Sequence, residues 1–363
     1  MMTSSRSLKQ LLRSCFSLVW IGGTAPWAHA ADQSQLPDYV VKALERNASE
    51  LSPLTITWER RRSARLPEDE LLSTIKRTPE IDSGLMAPEC VQYRWQHGMY
   101  YFHWSWLARP VEPRTGRPLI HEALVGYESE SVFKDGVYYK GDPMRDSGIQ
   151  HGDASLGVMP ITNAIRDAPT SPLIRIDYFA HAGLKMPEKP GEHSAPRTDS
   201  LVLYSIRQGG RVTMLGPETV DASDCEVIQI ESEDRKAKFY LDPALNFATR
   251  RRVEWSRSGV LAFTSGGSDF VDVSDTGVWL PKHIEVLWHT WETIPDAFLE
   301  EPLICETFDV TELDHTPIAL EVFDLKNKPP YNTPGARIAD ATLPGAPEEP
   351  GGNISYRVPA DPD

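Results

Sequence analysis

The hydrophobic pattern of the chain starts with one helical segment. Apolar residues recur at roughly helical spacing at Val40, Val41, Leu44 and Leu51. Pro37 falls in the first turn, where a missing N–H has no cost, and Pro53 follows the last apolar position. We therefore predict an amphipathic helix over residues 36–51.

Beyond residue 53 the period changes to two, which is typical of half-buried strands. In residues 54–63, for example, Ile56 and Trp58 alternate with polar neighbours. His97-Gly98 and Asp135-Gly136 are hairpin-turn signals. The predicted strands are 54–63, two within 89–107, then 121–127, 130–133, 137–140, 201–207, 211–215, 225–231, 236–241, 248–256, 259–263, 269–273, 277–280, 281–291 and 303–313.

Two long stretches interrupt this pattern. Residues 142–172 are rich in Gly, Asp and Pro and predict a long loop, and residues 187–199 predict another. Between them, residues 171–186 contain an apolar helix with Gly183 as its stop. We treat 142–199 as one insertion. A short helical piece is also predicted at 67–75.

Short strands spaced about ten residues apart predict an antiparallel meander and exclude βαβ units. We assign this sheet to one domain over residues 31–327. The remaining residues, 328–363, contain eight prolines and few large apolar side chains. Such a segment buries little, so we expect an extended or disordered tail.

One face of the predicted sheet carries large rings. We expect a common concave side for Tyr100, Phe102, Trp104, Trp106, Trp255, Ile284, Val286 and Trp288. Burial of rings is what ordinary cores do. The alternative is a sheet with more apolar surface than its helices cover, which leaves a cavity for a ligand.

Residues 1–30 have the three parts of a cleavable export signal. Arg6, Lys9 and Arg13 supply the positive start, residues 14–22 are a short apolar run, and residues 28–30 form a small-x-small cleavage site. We therefore predict cleavage after Ala30 and a periplasmic or secreted location. No later stretch approaches 18 apolar residues, so no transmembrane segment is expected.

The formal net charge is -15. Removal of residues 1–30 takes away three cationic side chains and no acidic one, which makes it -18. This charge repels nucleic acid, so we exclude it as a partner. An exported chain could form one disulfide among Cys90, Cys225 and Cys305, and the pairing is left open.

No catalytic, cofactor or metal motif is complete. His121-Glu122 begins an HExxH pattern, but Val125 stands where the second histidine is needed. Asp275-Thr276-Gly277 resembles the aspartic protease loop, yet a second such loop is missing from the sequence. We therefore expect a non-enzymatic protein without cofactor or metal. Two scattered carboxylates that meet in space would still permit a hydrolase.

The order of elements resembles the periplasmic lipoprotein-sorting carriers, the LolA/LolB-like group, with the related regulator RseB. The helix at 36–51 followed by residues 54–61, LTITWERR, matches their start. More specific are the motifs FYLDP at 239–243, ATRRRV at 248–253, DF at 269–270 and GVWLP at 277–281. The chain is longer than a minimal carrier, mainly through the insertion at 142–199, and the carriers' functional arginine could correspond to Arg60, Arg61 or Arg62.

The resemblance implies a mainly β fold with α-helices. It is an open antiparallel half-barrel of about eight to eleven strands, closed by helices on its concave side. It also implies a binding protein for acyl chains or lipidated proteins. Two alternatives stay open: an RseB-like module that binds a protein partner, and a secreted hydrolase with a carboxylate pair.

Overall fold

The computed structural model describes residues 36–65, 87–108, 125–142, 145–147, 150–152, 154–160, 177–185, 199–233, 235–273, 276–289, 301–346 and 353–359. The predicted export signal at 1–30 and the predicted helical piece at 67–75 lie outside these residues. Both stay predictions.

Three α-helices occur in the described part of the chain: α1 (Asp38–Ser49), α2 (Asp177–His181) and α3 (Leu201–Arg207). The first confirms the amphipathic prediction, because Pro37 precedes it and its buried side chains include Val40 and Leu44. The second lies within the predicted helix at 171–186, of which residues 171–176 and 186 are outside the described residues.

The prediction of a strand at 201–207 is wrong, because these residues form α3. A short apolar run fits a buried helix as well as a strand, so its period does not decide between them. Packing decides here. Val202 and Leu203 are buried in one cluster with Val40 of α1 and with Ile228 and Phe239 of the sheet.

The strands follow the predicted positions over most of the chain. They are β1 (Leu54–Ala64), β2 (Glu89–Gln96), β3 (Met99–Ala108), β4 (Val125–Lys134), β5 (Val137–Asp142), β6 (Arg145–Ser147), β7 (Gln150–Gly152), β8 (Ser155–Pro160), β9 (Leu184–Lys185), β10 (Asp199–Ser200), β11 (Arg211–Val220), β12 (Ser223–Glu231), β13 (Arg235–Asp242), β14 (Ala248–Ser256), β15 (Leu261–Asp272), β16 (Trp279–Trp288), β17 (Ile304–Asp314), β18 (Arg337–Asp340) and β19 (Ile354–Arg357).

Both predicted hairpin turns are confirmed by their backbone angles. His97 and Gly98 have φ of 48° and 80°, and Asp135 and Gly136 have φ of 51° and 77°. Two successive residues with positive φ are the signature of the turn that matches strand twist. The loop predicted at 142–172 is wrong in part, since β6, β7 and β8 begin within it.

Fifteen of the described strands form one sheet in the order β11-β12-β13-β14-β15-β16-β17-β1-β2-β3-β4-β5-β8-β18-β19. Among the described strands, β11 and β19 lie at the two edges of this open sheet. Adjacent strands are antiparallel except β8 and β18, which run parallel. The mainly β, open architecture therefore agrees with the prediction, while the sheet is wider than eight to eleven strands and mixed.

All three helices cover the same side of this sheet, which we call the helix face. Cross-strand partners project from the same face. Phe239, which packs with α1 and α3, opposes Arg252; Arg252 opposes Ser265, and Ser265 opposes Val286. Val286 in turn belongs to the cluster that contains the α2 rings.

The C-terminal segment covers part of the other side, which we call the opposite face. Phe323, Leu325 and Tyr331 are completely buried there, in one cluster with Tyr101 and Val132. Gln96 and Ile318 exchange two hydrogen bonds, from Gln96 Nε2 to the Ile318 carbonyl at 3.1 Å and from the Ile318 amide to Gln96 Oε1 at 2.6 Å.

The prediction of a disordered tail over 328–363 is therefore wrong for residues 328–346 and 353–359. Composition averages hide single apolar residues that alternate with proline and polar residues. Gly141 shows how closely the segment fits the sheet, because a Cβ at this position would lie 2.2 Å from the Tyr331 hydroxyl. Only glycine leaves room for this ring.

We expect Tyr331→Ala to lower the free energy of unfolding by about 3–5 kcal/mol, because a fully buried ring leaves a cavity. Leu320→Ala is the control, since Leu320 lies in the same segment with 55% of its surface exposed. Urea denaturation measures both variants. Equal, small losses for the two would show that the segment is not packed on the sheet.

Candidate functional site

Seven of the eight residues expected on the concave side lie on the helix face. Tyr100, Phe102, Ile284 and Val286 are buried in its main apolar cluster, and Trp104 is 9% exposed. Trp106 and Trp288 are partly buried and pack against the same cluster. The strand period therefore places these side chains on one face.

The placement of Trp255 on that side is wrong. Trp255 packs on the opposite face against a cluster that contains Tyr240 and Val253. The Lys236 ammonium group lies 5.8 Å from its ring centroid. The expectation failed because the helix face of β14 carries buried charges, Arg252 and Glu254, instead of the apolar residues.

Two rings of α2 fill the centre of the helix face. Tyr178 stacks on Trp58 at 5.3 Å between ring centroids, and Phe179 meets Trp58 edge-on at 5.8 Å. Phe179 also lies 5.3 Å from Tyr93. All four side chains are completely buried. The expected apolar face therefore exists, and α2 occupies its middle.

Polar contacts help to hold α2 on the sheet. Arg252 Nη1 donates to the Ala180 carbonyl at 3.4 Å. The Tyr178 hydroxyl donates to the Pro281 carbonyl at 2.6 Å. Gly183 ends the helical turn with φ of 83°, and a Cβ there would lie 2.0 Å from Thr249 Oγ1. The predicted helix stop is thus confirmed, and it also lets the chain pass close to β14.

A ladder of rings continues from this centre toward the ends of β3 and β4. Trp104 and Trp106 stack at 3.7 Å with an interplanar angle of 14°. Trp106 stacks in turn on Tyr127 at 5.5 Å and 19°. Trp106 and Tyr127 are only half-buried, so the ladder leads from the buried cluster to the surface.

Next to the α2 rings, the helix face carries a buried ionic cluster formed by Arg60, Arg62, Glu89 and Glu306. Arg60 Nε lies 2.5 Å and Arg62 Nε 2.7 Å from Glu306 Oε1. Arg62 Nη1 also reaches Glu89 Oε1 at 3.0 Å. By contrast, Arg61 lies on the opposite face, is exposed and pairs with Glu59.

The cluster keeps Glu306 ionised. Burial raises the pKa of this carboxyl, but Arg60 and Arg62 lower it more, and the result is a pKa of about 2. Trp288 Nε1 donates to the other oxygen, Glu306 Oε2, at 3.2 Å. The predicted site residue Trp288 is therefore tied to the ionic cluster.

His181 of α2 lies between these charges and the rings. Its ring is 5.3 Å from that of Phe263 and 5.7 Å from that of Phe308. Burial lowers the pKa of His181 to about 3, and the nearby Arg252 guanidinium contributes to this lowering. The imidazole is therefore neutral at physiological pH, as suits an apolar surrounding.

Several buried polar atoms on the helix face have no hydrogen-bond partner among the described residues. They are Trp58 Nε1, Tyr93 Oη, Tyr100 Oη, His181 Nδ1, Arg252 Nε and Ser265 Oγ. Such atoms are rare in protein interiors, because leaving one unpaired costs about 1–3 kcal/mol. Their concentration on one face marks it as a candidate binding surface.

Other kinds of site find little support in the described part of the chain. There, no three His, Cys, Asp or Glu side chains converge as metal ligands. Cys90, Cys225 and Cys305 are free thiols, and burial raises the pKa of Cys225 to about 11. None of the described helices has the length and apolarity needed to cross a membrane.

No protein-family model and no curated protein matches the chain. It is similar to a solved LolA superfamily protein, NE2245 from Nitrosomonas europaea, at 12% identity over 80% of this chain and 98% of that one, with a TM-score of 0.36. A DUF1329 family protein from Desulfovibrio piger is 11% identical over 80% and 95%, with a TM-score of 0.37.

An outer membrane lipoprotein-sorting protein domain from Vibrio parahaemolyticus is 11% identical over 78% of this chain and 94% of that one, with a TM-score of 0.38. These names include the group that the strand motifs resemble. Every one of these TM-scores is below 0.5, so the likeness assigns no ligand and no function to this chain.

The ionic cluster makes stability depend on acid pH. The folded-state pKa of Glu306 is lower than its ordinary value of 4.5, so its charge stabilises the fold above about pH 4.5, and this contribution is lost as the pH falls toward about 2. We expect Glu306→Gln to cost about 3–5 kcal/mol at pH 7, because Arg60 and Arg62 lose their partner.

The difference in the free energy of unfolding between the parent and Glu306→Gln should therefore become smaller as the pH falls from about 4.5 to about 2. Urea denaturation over a pH series measures it. Glu312→Gln is the control, because Glu312 lies on the same strand but is exposed. A difference that stayed constant across this pH range would contradict the assigned role of Glu306.

Proposed function

We propose that the chain is a non-enzymatic binding protein, and that it holds the acyl chain of a lipid or of a lipidated protein on the helix face. The observation that carries the proposal is α2, a helix of five residues that inserts Tyr178 and Phe179 into a sheet surface made of rings. In this proposal, the two rings occupy the place that the acyl chain takes.

The energetics of α2 support a replacement of its two rings by an acyl chain. A five-residue helix is not stable by itself, so its position depends on the packing of its side chains. Tyr178 and Phe179 supply that packing against Trp58, Tyr93 and Phe308. An acyl chain offers the same surface comparable apolar contact, at about 0.8 kcal/mol for each buried CH₂ group.

The surroundings of the rings suit a ligand with a polar end. The Arg60 guanidinium lies 5.4 Å from the ring centroid of Phe308, which itself contacts Tyr178. The hydroxyls of Tyr93 and Tyr100 are buried and unpaired among the described residues. An acyl chain on Trp58 would place its head group within reach of such donors.

The ladder of Trp104, Trp106 and Tyr127 offers a path between this surface and the solvent. Its outer rings are half-buried, and its inner ring belongs to the main cluster. The predicted ligand-binding residues Trp104, Trp106 and Trp288 then line the margin. Tyr100, Phe102, Ile284 and Val286 form the floor beneath the ligand.

The strand motifs that resemble the lipoprotein-sorting carriers and the predicted export signal at 1–30 point to the same class of function. A lipid or an acylated protein in the periplasm or outside the cell is the ligand that this interpretation implies. Nucleic acid is not expected, given the formal net charge of -15.

A hydrolase with a carboxylate pair gains no support from Glu89 and Glu306, the two carboxylates that meet on the helix face. Arg62 bridges them. A general acid needs a raised pKa, whereas Arg60 and Arg62 hold the pKa of Glu306 near 2 against the effect of burial.

A protein-binding module is the second candidate, because the helix face is filled where α2 packs. Such a module could instead use a free sheet edge. The β11 edge is poorly suited, however. Its register shifts between Met214 and Gly216, and Pro217 has no N–H to offer to a partner strand.

We expect Phe179→Ala to bind a fluorescent fatty acid more tightly than the parent, because it removes a ring that lies where the ligand would lie. The variant should lose about 3–5 kcal/mol of stability without the probe. It should regain part of that loss with the probe, since a ligand of the native state raises its stability. Probe fluorescence and thermal melting measure the two effects.

The matched control is Phe323→Ala, which removes an equally buried ring from the opposite face. It should be destabilised without any gain in probe binding. If neither the parent nor Phe179→Ala bound the probe, the helix face would be an ordinary core.

Native mass spectrometry of the protein purified from its own source separates the two candidates. A co-purified lipid, released when the protein is denatured, supports the acyl-binding function. A stoichiometric protein partner without lipid supports the second candidate and contradicts the first.

A further inference from the structure

A cavity of about 470 Å³ lies among β1, β2, β3 and β4. One cross-strand row runs through it, in which Glu59 opposes Cys90, Cys90 opposes Ser105, and Ser105 opposes Glu128. These residues alternate with Trp58 and Trp104 along their strands, so they project from the opposite face. The lining also includes Glu89, Trp106 and Tyr127. These three residues oppose one another in the adjacent cross-strand row, on the helix face, so the cavity is not confined to the opposite face.

Small side chains explain why a cavity forms there. Cys90 and Ser105 occupy the middle of the row, and Gly126 opposes Leu107 in the next row. A Cβ at Gly126 would meet nothing within 4 Å. Glu59 and Glu128 lie at the two ends of the row, and their longer side chains border the cavity on either side.

The charges around the cavity favour a cation. Glu59 pairs with Arg61 at 2.5 Å, whereas the Glu128 carboxylate has His103 Nε2 at 3.8 Å and its side chain is 58% exposed. Further along the same face, Glu312 opposes Thr57 on β17 and is exposed. Glu128 is thus an acceptor that a cationic group can reach.

The lining is also partly apolar, because Pro88 and Leu107 border the cavity. We propose that this pocket binds a small organic cation, with its ammonium or guanidinium group at Glu128 and its apolar body against Leu107. A charge-assisted hydrogen bond to the carboxylate would orient the ligand. The volume is in the range of sites for small molecules.

Cys90 gives a direct reporter, since its thiol lies on the pocket floor. Benzylamine is the probe, and benzyl alcohol and benzoate are its neutral and anionic counterparts of similar shape. The full chain is alkylated with iodoacetamide, and peptide mass spectrometry follows Cys90, with Cys305 as the thiol outside the pocket. Isothermal titration gives the dissociation constants.

At ten times its dissociation constant, benzylamine should slow the alkylation of Cys90 about tenfold by simple occupancy and leave Cys305 unchanged. Benzyl alcohol and benzoate should bind more weakly. Glu128→Gln should weaken benzylamine binding about tenfold, as expected for the loss of one charged contact. Glu312→Gln removes the same charge outside the pocket and should change little.

Gly126→Phe should fill the pocket, so that benzylamine no longer slows the alkylation of Cys90. The melting temperature of this variant shows whether the fold is kept. If that variant does not fold, the comparison of Glu128→Gln with Glu312→Gln decides. Equal binding of benzylamine and benzyl alcohol would overturn the proposal. So would an unchanged alkylation rate of Cys90 in saturating benzylamine.

Discussion

The packing of the two α2 rings on Trp58 determines whether the helix face is filled by the protein itself or can hold a ligand. Trp58 is completely buried at the centre of the sheet, with Tyr178 stacked on it and Phe179 against its edge. Aromatic pairs of this kind add about 0.5–1.5 kcal/mol each to the burial of their area. Because α2 is too short to be stable alone, these contacts hold it in place.

The buried ionic cluster complements the rings by fixing the strands around them. Arg60 and Arg62 of β1 bind Glu306 of β17, and Arg62 also binds Glu89 of β2. A one-residue slip of any of these strands would turn its charged side chain to the other face. The cluster therefore specifies the register of three central strands, beside the surface that we propose for the ligand.

Much of the fold could be predicted from the sequence, because strand alternation and turn chemistry are local properties. The helix α1, both hairpin turns and most strands of the second half follow from the period of apolar residues. The strand prediction for residues 201–207 is wrong because a short apolar run has no decisive period. The burial of Tyr331 does not follow from the sequence, because a proline-rich composition says nothing about a single ring that fits over Gly141.

The site was harder to predict than the fold. The alternation of β1 already places Arg60 and Arg62 on the same face as Trp58, and that signal could have distinguished them from Arg61. The partners Glu89 and Glu306 lie 27 or more residues away in sequence, so only the sheet order brings them together. The prediction for Trp255 is wrong because it places the apolar side of β14 toward the helices, whereas that side faces away from them.

Hydrogen–deuterium exchange of α2 tests the central claim most directly. The Ala182 amide is bonded to the Tyr178 carbonyl at 2.9 Å, and the Gly183 amide to the Ala180 carbonyl at 3.3 Å. If an acyl chain takes the place of the α2 rings, residues 177–183 should exchange faster with saturating fatty acid, while β1 and β17 stay protected. Unchanged or slower exchange of residues 177–183 with the fatty acid bound would contradict the account.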